Sequence, residues 1–322
     1  MNSDAAPDEP FFTVRVASKR AVAMGTVCFE FVSPDGAALL AFTPGAHLTV
    51  VTPLGVRRNY SLCSDAADTS RYEIAVKRDA NGRGGSMSLV DNVEQGDQVS
   101  ISVPRNNFEL APRTNDFIFI AGGIGITPIL SMMRHVQRLD GANFRLYYCT
   151  RDAESTAFLD VLRDELADRM TLHHDLGDVY KAYDFWPILE TPRRAHVYCC
   201  GPKGLMESVA DMSGHWPSGS IHFESFGVDA KAFAENVSFS VRLQKSGRSI
   251  GVSKEQTMLE ALRDNGLTMR SSCESGTCGS CKTGLISGDV DHRDMVLLEE
   301  ERAGHVMPCV SRARFGELVL DL

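Results

Sequence analysis

The chain has 322 residues, 43% of them hydrophobic, 23% charged and 8% aromatic, which excludes disorder, a fibrous repeat and one small core. At about 100 to 200 residues per domain it holds two or three domains. A net charge of -9 excludes the broad basic surface that nucleic acid requires, so no nucleic acid partner is expected. The opening MNSDAAPDEP lacks the basic and apolar regions of a secretory signal, so the nine cysteines are expected in the reducing cytoplasm.

Residues 1–112 read as short strands separated by turns: FFTVRVASK, VCFEFVSP, HLTVVTP, YEIAVKR and QVSISVP. This spacing predicts a small antiparallel β-barrel. One strand carries Arg58, Asn59, Tyr60 and Ser61, a set that can hold a phosphate, stack on a ring and hydrogen-bond to a ring nitrogen. Arg83, Gly84, Gly85 and Ser86 form a glycine-rich loop entering a short helix, a natural anion cradle. An ordinary strand and turn would look the same taken singly.

Residues 113–227 alternate apolar strands with amphipathic helices, which predicts an α/β domain with a mostly parallel sheet. The uncharged run from Phe117 to Met133 is interrupted by Gly122, Gly123, Gly125 and Pro128, and reads as a strand, a turn and a helix. No membrane segment is expected. Gly123 and Thr127 stand in a strand-to-helix turn suited to a dinucleotide. Cys200, Gly201 and Pro202 end a later strand, where open α/β sheets bind ligands. Asp152 follows the second strand; an acid there repels a 2′-phosphate and favours NADH, or simply sits in a solvated loop.

Residues 228–237 lack strand periodicity and read as a linker. Residues 238–322 open with two strands around a Lys-Ser-Gly turn and continue into a helix, TMLEALRDNG. The spacing Cys273-x4-Cys278-x2-Cys281, with Cys309 after a further 27 residues, is that of plant-type 2Fe-2S clusters. Small neighbours such as Gly276 and Gly279 let backbone amides approach the sulfurs. A zinc site in a regulatory or binding protein is the alternative, but zinc ribbons usually pair two C-x2-C knuckles. Cys28, Cys63, Cys149, Cys199 and Cys200 have no ligand spacing and read as buried thiols. Six acids against Arg293 between Asp289 and Glu301 offer either a docking surface for a basic partner or a solvated face.

With RNYSLCS, AVKRDANGRGGS, AGGIGITPILSM, CCGP, HFESFG and SSCESGTCGSCKT, the chain resembles the ferredoxin-NADP reductase superfamily. The likeness is to the class with a C-terminal plant-type ferredoxin domain. The resemblance implies a multidomain fold: an antiparallel β-barrel for the flavin, an α/β parallel-sheet NAD domain and an α+β, β-grasp ferredoxin domain. It implies FMN held by Arg58, Asn59, Tyr60 and Ser61, by the backbone of Ala75, Val76 and Lys77, and by Arg83, Gly84, Gly85 and Ser86. Gly123, Thr127, Cys200, Gly201 and Pro202 would line the nicotinamide path, and Phe226 would stack on the ring. Ser61, Thr127, Cys200 and Phe226 would surround the reacting atoms. The implied activity is electron transfer from NADH through FMN and the 2Fe-2S cluster to a Rieske-type oxygenase of aromatic acids. The implied acid is phthalate, with vanillate as the alternative, and the implied state is a monomer.

Overall fold

The computed structural model describes residues 10–82, 84–112, 114–217, 219–226, 236–271, 274, 276–277 and 279–322. The chain divides into two compact units, Glu9–Glu224 and Ser225–Leu322.

The first unit begins with β1 (Phe11–Ala23), β2 (Thr26–Val32), β3 (His47–Val51), β4 (Arg57–Ser61), β5 (Tyr72–Lys77) and β6 (Gln98–Ser102). They form an antiparallel sheet in the order β4-β3-β6-β1-β2-β5. Its two edges meet, because Leu62 bridges Ile74 and the Cys63 amide donates to the Glu73 carbonyl at 2.9 Å. Closure leaves no open edge to pair with another chain. Alternation along the strands sends Val14, Val16, Phe29, Phe31, Leu48, Val50, Ile74 and Val76 inward. Each such side chain contributes about 1.5–3 kcal/mol of burial. Helix α1 (Gly85–Asn92) inserts Leu89 into this core.

The same unit continues with β7 (Asp116–Gly122), β8 (Asn143–Thr150), β9 (Met170–His174), β10 (His196–Cys200) and β11 (Ile221–Glu224), all parallel. The order is β11-β10-β7-β8-β9. Helices α2 (Ile126–Val136), α3 (Leu159–Leu166), α4 (Trp186–Leu189) and α5 (Lys203–Ser213) lie in the connections. β7 is a continuous apolar run because a central parallel strand is covered on both faces. The strand order reverses between β7 and β10, which makes the crevice at their carboxyl ends the ligand position of this architecture. Barrel residues Cys28, Cys63 and Ala75 share one apolar core with α2 residues and β7, so barrel and sheet form one body.

The uncharged run from Phe117 resolves into β7, a single 3-10 turn at Gly123–Gly125, and α2. Among the described residues no helix is long and apolar enough to cross a membrane.

The second unit holds β12 (Phe239–Leu243), β13 (Ser249–Val252), β14 (Thr283–Asp291), β15 (His305–Val306) and β16 (Arg312–Leu320), in the order β13-β12-β16-β14-β15. β12 and β16 are parallel and the other pairs antiparallel. Helix α6 (Met258–Asp264) starts at a capping box in which the Glu260 amide donates to Thr257 Oγ1 at 3.1 Å and the Thr257 amide to Glu260 Oε2 at 2.9 Å. It buries Met258, Ala261 and Leu262 against the sheet, completing the α+β, β-grasp arrangement. A short helix, α7 (Glu299–Arg302), precedes β15.

Candidate functional site

β4 places Arg58 and Tyr60 on one face, two residues apart. The Arg58 stem lies over the start of α1, where a Cβ added at Gly85 would stand 2.8 Å from its Cγ and Nε. Gly84 precedes the helix in the left-handed region (φ 77°), and no side chain caps the first turn. A guanidinium poised over uncapped helix amides fits a phosphate. Arg83 lies outside the described residues. Ser86 Oγ accepts from the Asp79 amide at 3.1 Å, which shapes the loop. Burial pushes the Tyr60 hydroxyl up to about 12, so it stays protonated. Asn59 Oδ1 accepts from Thr49 Oγ1 at 2.9 Å, across the β3–β4 hairpin. Ala75 and Val76 are buried on β5 and Lys77 is exposed at its end.

At the reversal point the turns after β7 and β10 touch backbone to backbone. A Cβ on Gly125 would lie 2.1 Å from the Cys200 carbonyl oxygen, and one on Gly201 would lie 2.9 Å from Gly122 Cα. Glycine is required here by close approach, and the cost of a side chain would fall on the crevice itself. Gly123 takes φ 53°. Pro202 begins the turn into α5. The Thr127 hydroxyl donates to the Ile124 carbonyl at 3.0 Å and holds the 3-10 turn against α2. Cys200 is fully buried, and burial first, then the neighbouring Glu224, raises its thiol well above the ordinary value. It is a neutral group in this crevice.

The parallel register aligns Ala121, Cys200 and Glu224 across β7, β10 and β11. Glu224 is a buried acid at the carboxyl end of an edge strand, and Ser61 Oγ from the barrel donates to its Oε2 at 3.3 Å. Ser61, Cys200 and Glu224 therefore converge where barrel and sheet meet. Glu224 is not marked by any motif in the sequence; its one signal is a lone acid closing the strand IHFE. Phe226 follows β11 and is 42% exposed. Asp152 stands after β8, where Ser155 donates its amide to Asp152 Oδ1 at 2.8 Å and holds the carboxyl below its usual range.

A second pair of barrel–sheet contacts lies behind this crevice. On α2, Arg134 donates to the Cys63 carbonyl at 2.9 Å and stands 3.6 Å from Glu73 Oε2. Arg138 forms an ion pair with Asp65.

In the second unit, Cys281 and Cys309 are buried with their sulfurs 3.2 Å apart, among Leu259, Leu297, Met307 and Val310. Cys273 and Cys278 lie outside the described residues. Gly276, in the cluster loop, has φ 78°, and a Cβ there would stand 2.8 Å from Val310 and 3.2 Å from Asp294 Cα. Two converging thiols with an apolar wall and a glycine-tight loop fit a 2Fe-2S cluster. The acidic stretch nearby is largely compensated. Asp289 pairs with Arg314 (3.6 Å), Asp291 with Arg293 (2.6 Å), Glu299 with Arg302 (3.1 Å) and Glu301 with Lys282. Asp294 is buried and accepts from the Val296 and Leu297 amides. The stretch is a self-neutralised face rather than a bare acidic patch.

A closed barrel with a phosphate cradle, a parallel sheet with a nucleotide crevice, and a β-grasp unit with paired thiols define a flavin- and NAD-dependent iron-sulfur oxidoreductase. Three domain families match in that order: an oxidoreductase FAD-binding domain over residues 13–110, an oxidoreductase NAD-binding domain over 119–184, and a 2Fe-2S iron-sulfur cluster binding domain over 241–314. The chain is 56% identical over 324 residues to the phthalate 4,5-dioxygenase oxygenase reductase subunit of Pseudomonas putida, covering 100% of both chains. It is 53% identical to the phthalate dioxygenase reductase of Burkholderia cepacia, covering 98% of each. A solved structure of phthalate dioxygenase reductase, described as modular for electron transfer from pyridine nucleotides to 2Fe-2S, superposes with a TM-score of 0.82 at 53% identity, over 97% of this chain and 98% of that one. The chain belongs to the phthalate dioxygenase reductase family of iron-sulfur flavoproteins.

Proposed function

We propose that this chain takes a hydride from NADH and delivers the two electrons singly to a Rieske-type oxygenase that oxidises phthalate, with FMN as its flavin. The observation that carries the reading is the convergence of Ser61, Cys200 and Glu224 where barrel and sheet meet, with Ser61 on the same strand, β4, as Arg58. When bound, the flavin accepts an electron pair from the nicotinamide and the cluster passes electrons on one at a time.

Arg58 and the first turn of α1 would hold a terminal phosphate, with Gly84, Gly85 and Ser86 leaving room for it. Tyr60 and the β5 backbone at Ala75, Val76 and Lys77 would hold the ring. Ser61, fixed by Glu224, keeps a hydroxyl at the crevice, and neutral Cys200 supplies an apolar wall that excludes water. Gly123, Thr127, Gly201 and Pro202 shape the nicotinamide path. An ionised Asp152 at the ribose end disfavours a 2′-phosphate and supports NADH as the donor. Cys281 and Cys309, with Cys273 and Cys278, would ligate the cluster. Cys28, Cys63, Cys149, Cys199 and Cys200 keep their thiols, which suits a reducing cytoplasm, and the chain is read as a monomer that meets its oxygenase transiently.

The test is purification followed by flavin extraction, iron and acid-labile sulfide assay, and NADH-dependent turnover with candidate oxygenases. FMN, iron, sulfide and phthalate oxidation are expected. FAD in the extract overturns the flavin assignment, and coupling only to a vanillate-demethylating oxygenase overturns the phthalate assignment.

A further inference from the structure

Beside the proposed ribose position a chain of short polar contacts fixes the proton of one histidine. Thr156 Oγ1 lies 2.6 Å from the Asp152 carbonyl oxygen, Thr150 Oγ1 lies 2.7 Å from Thr156 Oγ1, and His174 Nδ1 lies 2.9 Å from Thr150 Oγ1. Thr150 and Thr156 are buried, so none of these contacts can be left without a proton at little cost. A hydroxyl has one proton and a carbonyl has none. Thr156 must donate to the Asp152 carbonyl, Thr150 must then donate to Thr156, and only His174 Nδ1–H remains to donate to Thr150. Any other assignment leaves one contact under 3 Å with no hydrogen between two acceptors.

The consequence is that Nδ1 carries a proton, so in the uncharged form of the ring the lone pair falls on Nε2. That nitrogen is the ring's remaining polar atom, on a residue only half-buried at the carboxyl end of β9, in register with Thr150 at the end of β8. In a sheet of this order the adenosine ribose lies over the end of the second strand, which is β8. An acceptor there accommodates a ribose 2′-hydroxyl, which can donate, and offers nothing to a 2′-phosphate, which cannot when ionised.

We propose that His174, held as the Nδ1–H tautomer by the Thr150–Thr156 relay, reads the ribose 2′-hydroxyl and is a specificity-determining residue for NADH over NADPH. The proposal rests on the nicotinamide-dependent reading given above. His174→Phe removes the acceptor, and kcat/KM for NADH is expected to fall about tenfold through KM with kcat held, while that for NADPH is unchanged. His174→Gln, which retains an acceptor, is expected to recover part of the loss. Nitrogen-15 NMR of the imidazole is expected to show a protonated Nδ1 in the wild type and loss of that preference in Thr156→Val. An unchanged NADH:NADPH preference in His174→Phe, or a wild-type Nε2–H tautomer, overturns the proposal alone. A wild type that oxidises neither nucleotide overturns the oxidoreductase reading, and this proposal with it.

Discussion

Ser61 and Glu224 are 163 positions apart and share a buried hydrogen bond of 3.3 Å across the seam between barrel and sheet. Neither residue could do this alone: Ser61 closes β4, and Glu224 closes β11 beside Cys200. A serine fixed by a buried acid has one orientation instead of three. Ser61→Ala is therefore expected to slow anaerobic flavin reduction by NADH about tenfold to a hundredfold, with a smaller change in KM. Glu224→Gln keeps an acceptor for Ser61 and is expected to lose less. Stopped-flow traces at the flavin absorbance check both, and an undiminished rate in Ser61→Ala would remove this hydroxyl from the reaction.

Behind the crevice, Glu73 is a buried acid with Arg20 at 3.2 Å and Arg134 at 3.6 Å. Arg20 belongs to the barrel and Arg134 to α2, so Glu73 joins the strand that lines the proposed flavin site to the helix that opens the nucleotide crevice. Arg20 is 46% exposed and Arg134 22%, so solvent takes up part of the charge left behind and removing Glu73 costs about 1–2 kcal/mol, less than for a fully buried pair. Glu73→Ala is expected to lower the thermal midpoint of the first unit clearly. Arg134→Met is expected to cost less, since Arg20 still compensates Glu73. A double-mutant cycle on the two sites measures the coupling, and additive effects would show that apolar packing alone holds the seam.

The local patterns that the sequence made legible were those set by neighbours along the chain. Alternation in VCFEF and YEIAVK announced barrel strands, and the unbroken run FIFIAG announced a strand covered on both faces. The cysteine spacing needed no tertiary information at all. What stayed hidden was set by distant partners. β14 exposes four consecutive residues, 286–289, and carries Gly288 with φ 123°, whose added Cβ would meet Leu318 at 2.5 Å, so its pairing with β16 is irregular and leaves no clean period of two. β16 has exposed Phe315 and Gly316 at its middle for the same reason. Glu224 and the Glu73 clasp were invisible because a buried acid is recognisable only once its partners have been brought to it. The charge run from Asp289 looked like a patch in sequence because Arg314 and Lys282, which compensate it, lie outside the run.

His222 on β11 stacks on Tyr198 at 4.4 Å and shares a 2.9 Å nitrogen–nitrogen hydrogen bond with His196 on β10. Burial, and then the charge of His196, pushes His222 down to about 4. In the unfolded chain a histidine ionises near about 6.5. Between those values the unfolded state binds the extra proton, so stability is full above about pH 6.5 and falls as the pH drops toward 4. His222→Phe keeps the stacking and removes the titration. Its midpoint of thermal unfolding is expected to vary less with pH between 6.5 and 4 than that of the wild type. Parallel curves for the two proteins would assign the acid sensitivity elsewhere.

The thiols of Cys281 and Cys309 sit in the second unit, whereas every residue of the proposed flavin cradle sits in the first. A hard oxygen ligand in place of either thiolate binds iron sulfide poorly, and nothing in the first unit depends on that sulfur. Cys309→Ser is expected to lose most of its acid-labile sulfide and the matching visible absorbance while keeping one flavin per chain. NADH oxidation with ferricyanide, which can take electrons directly from a flavin, is expected to stay within about twofold of the wild type, and turnover coupled to the oxygenase to fall by a hundredfold or more, about 3 kcal/mol. Loss of both activities together, with flavin retained, would mean that electrons cannot leave the first unit except through the cluster.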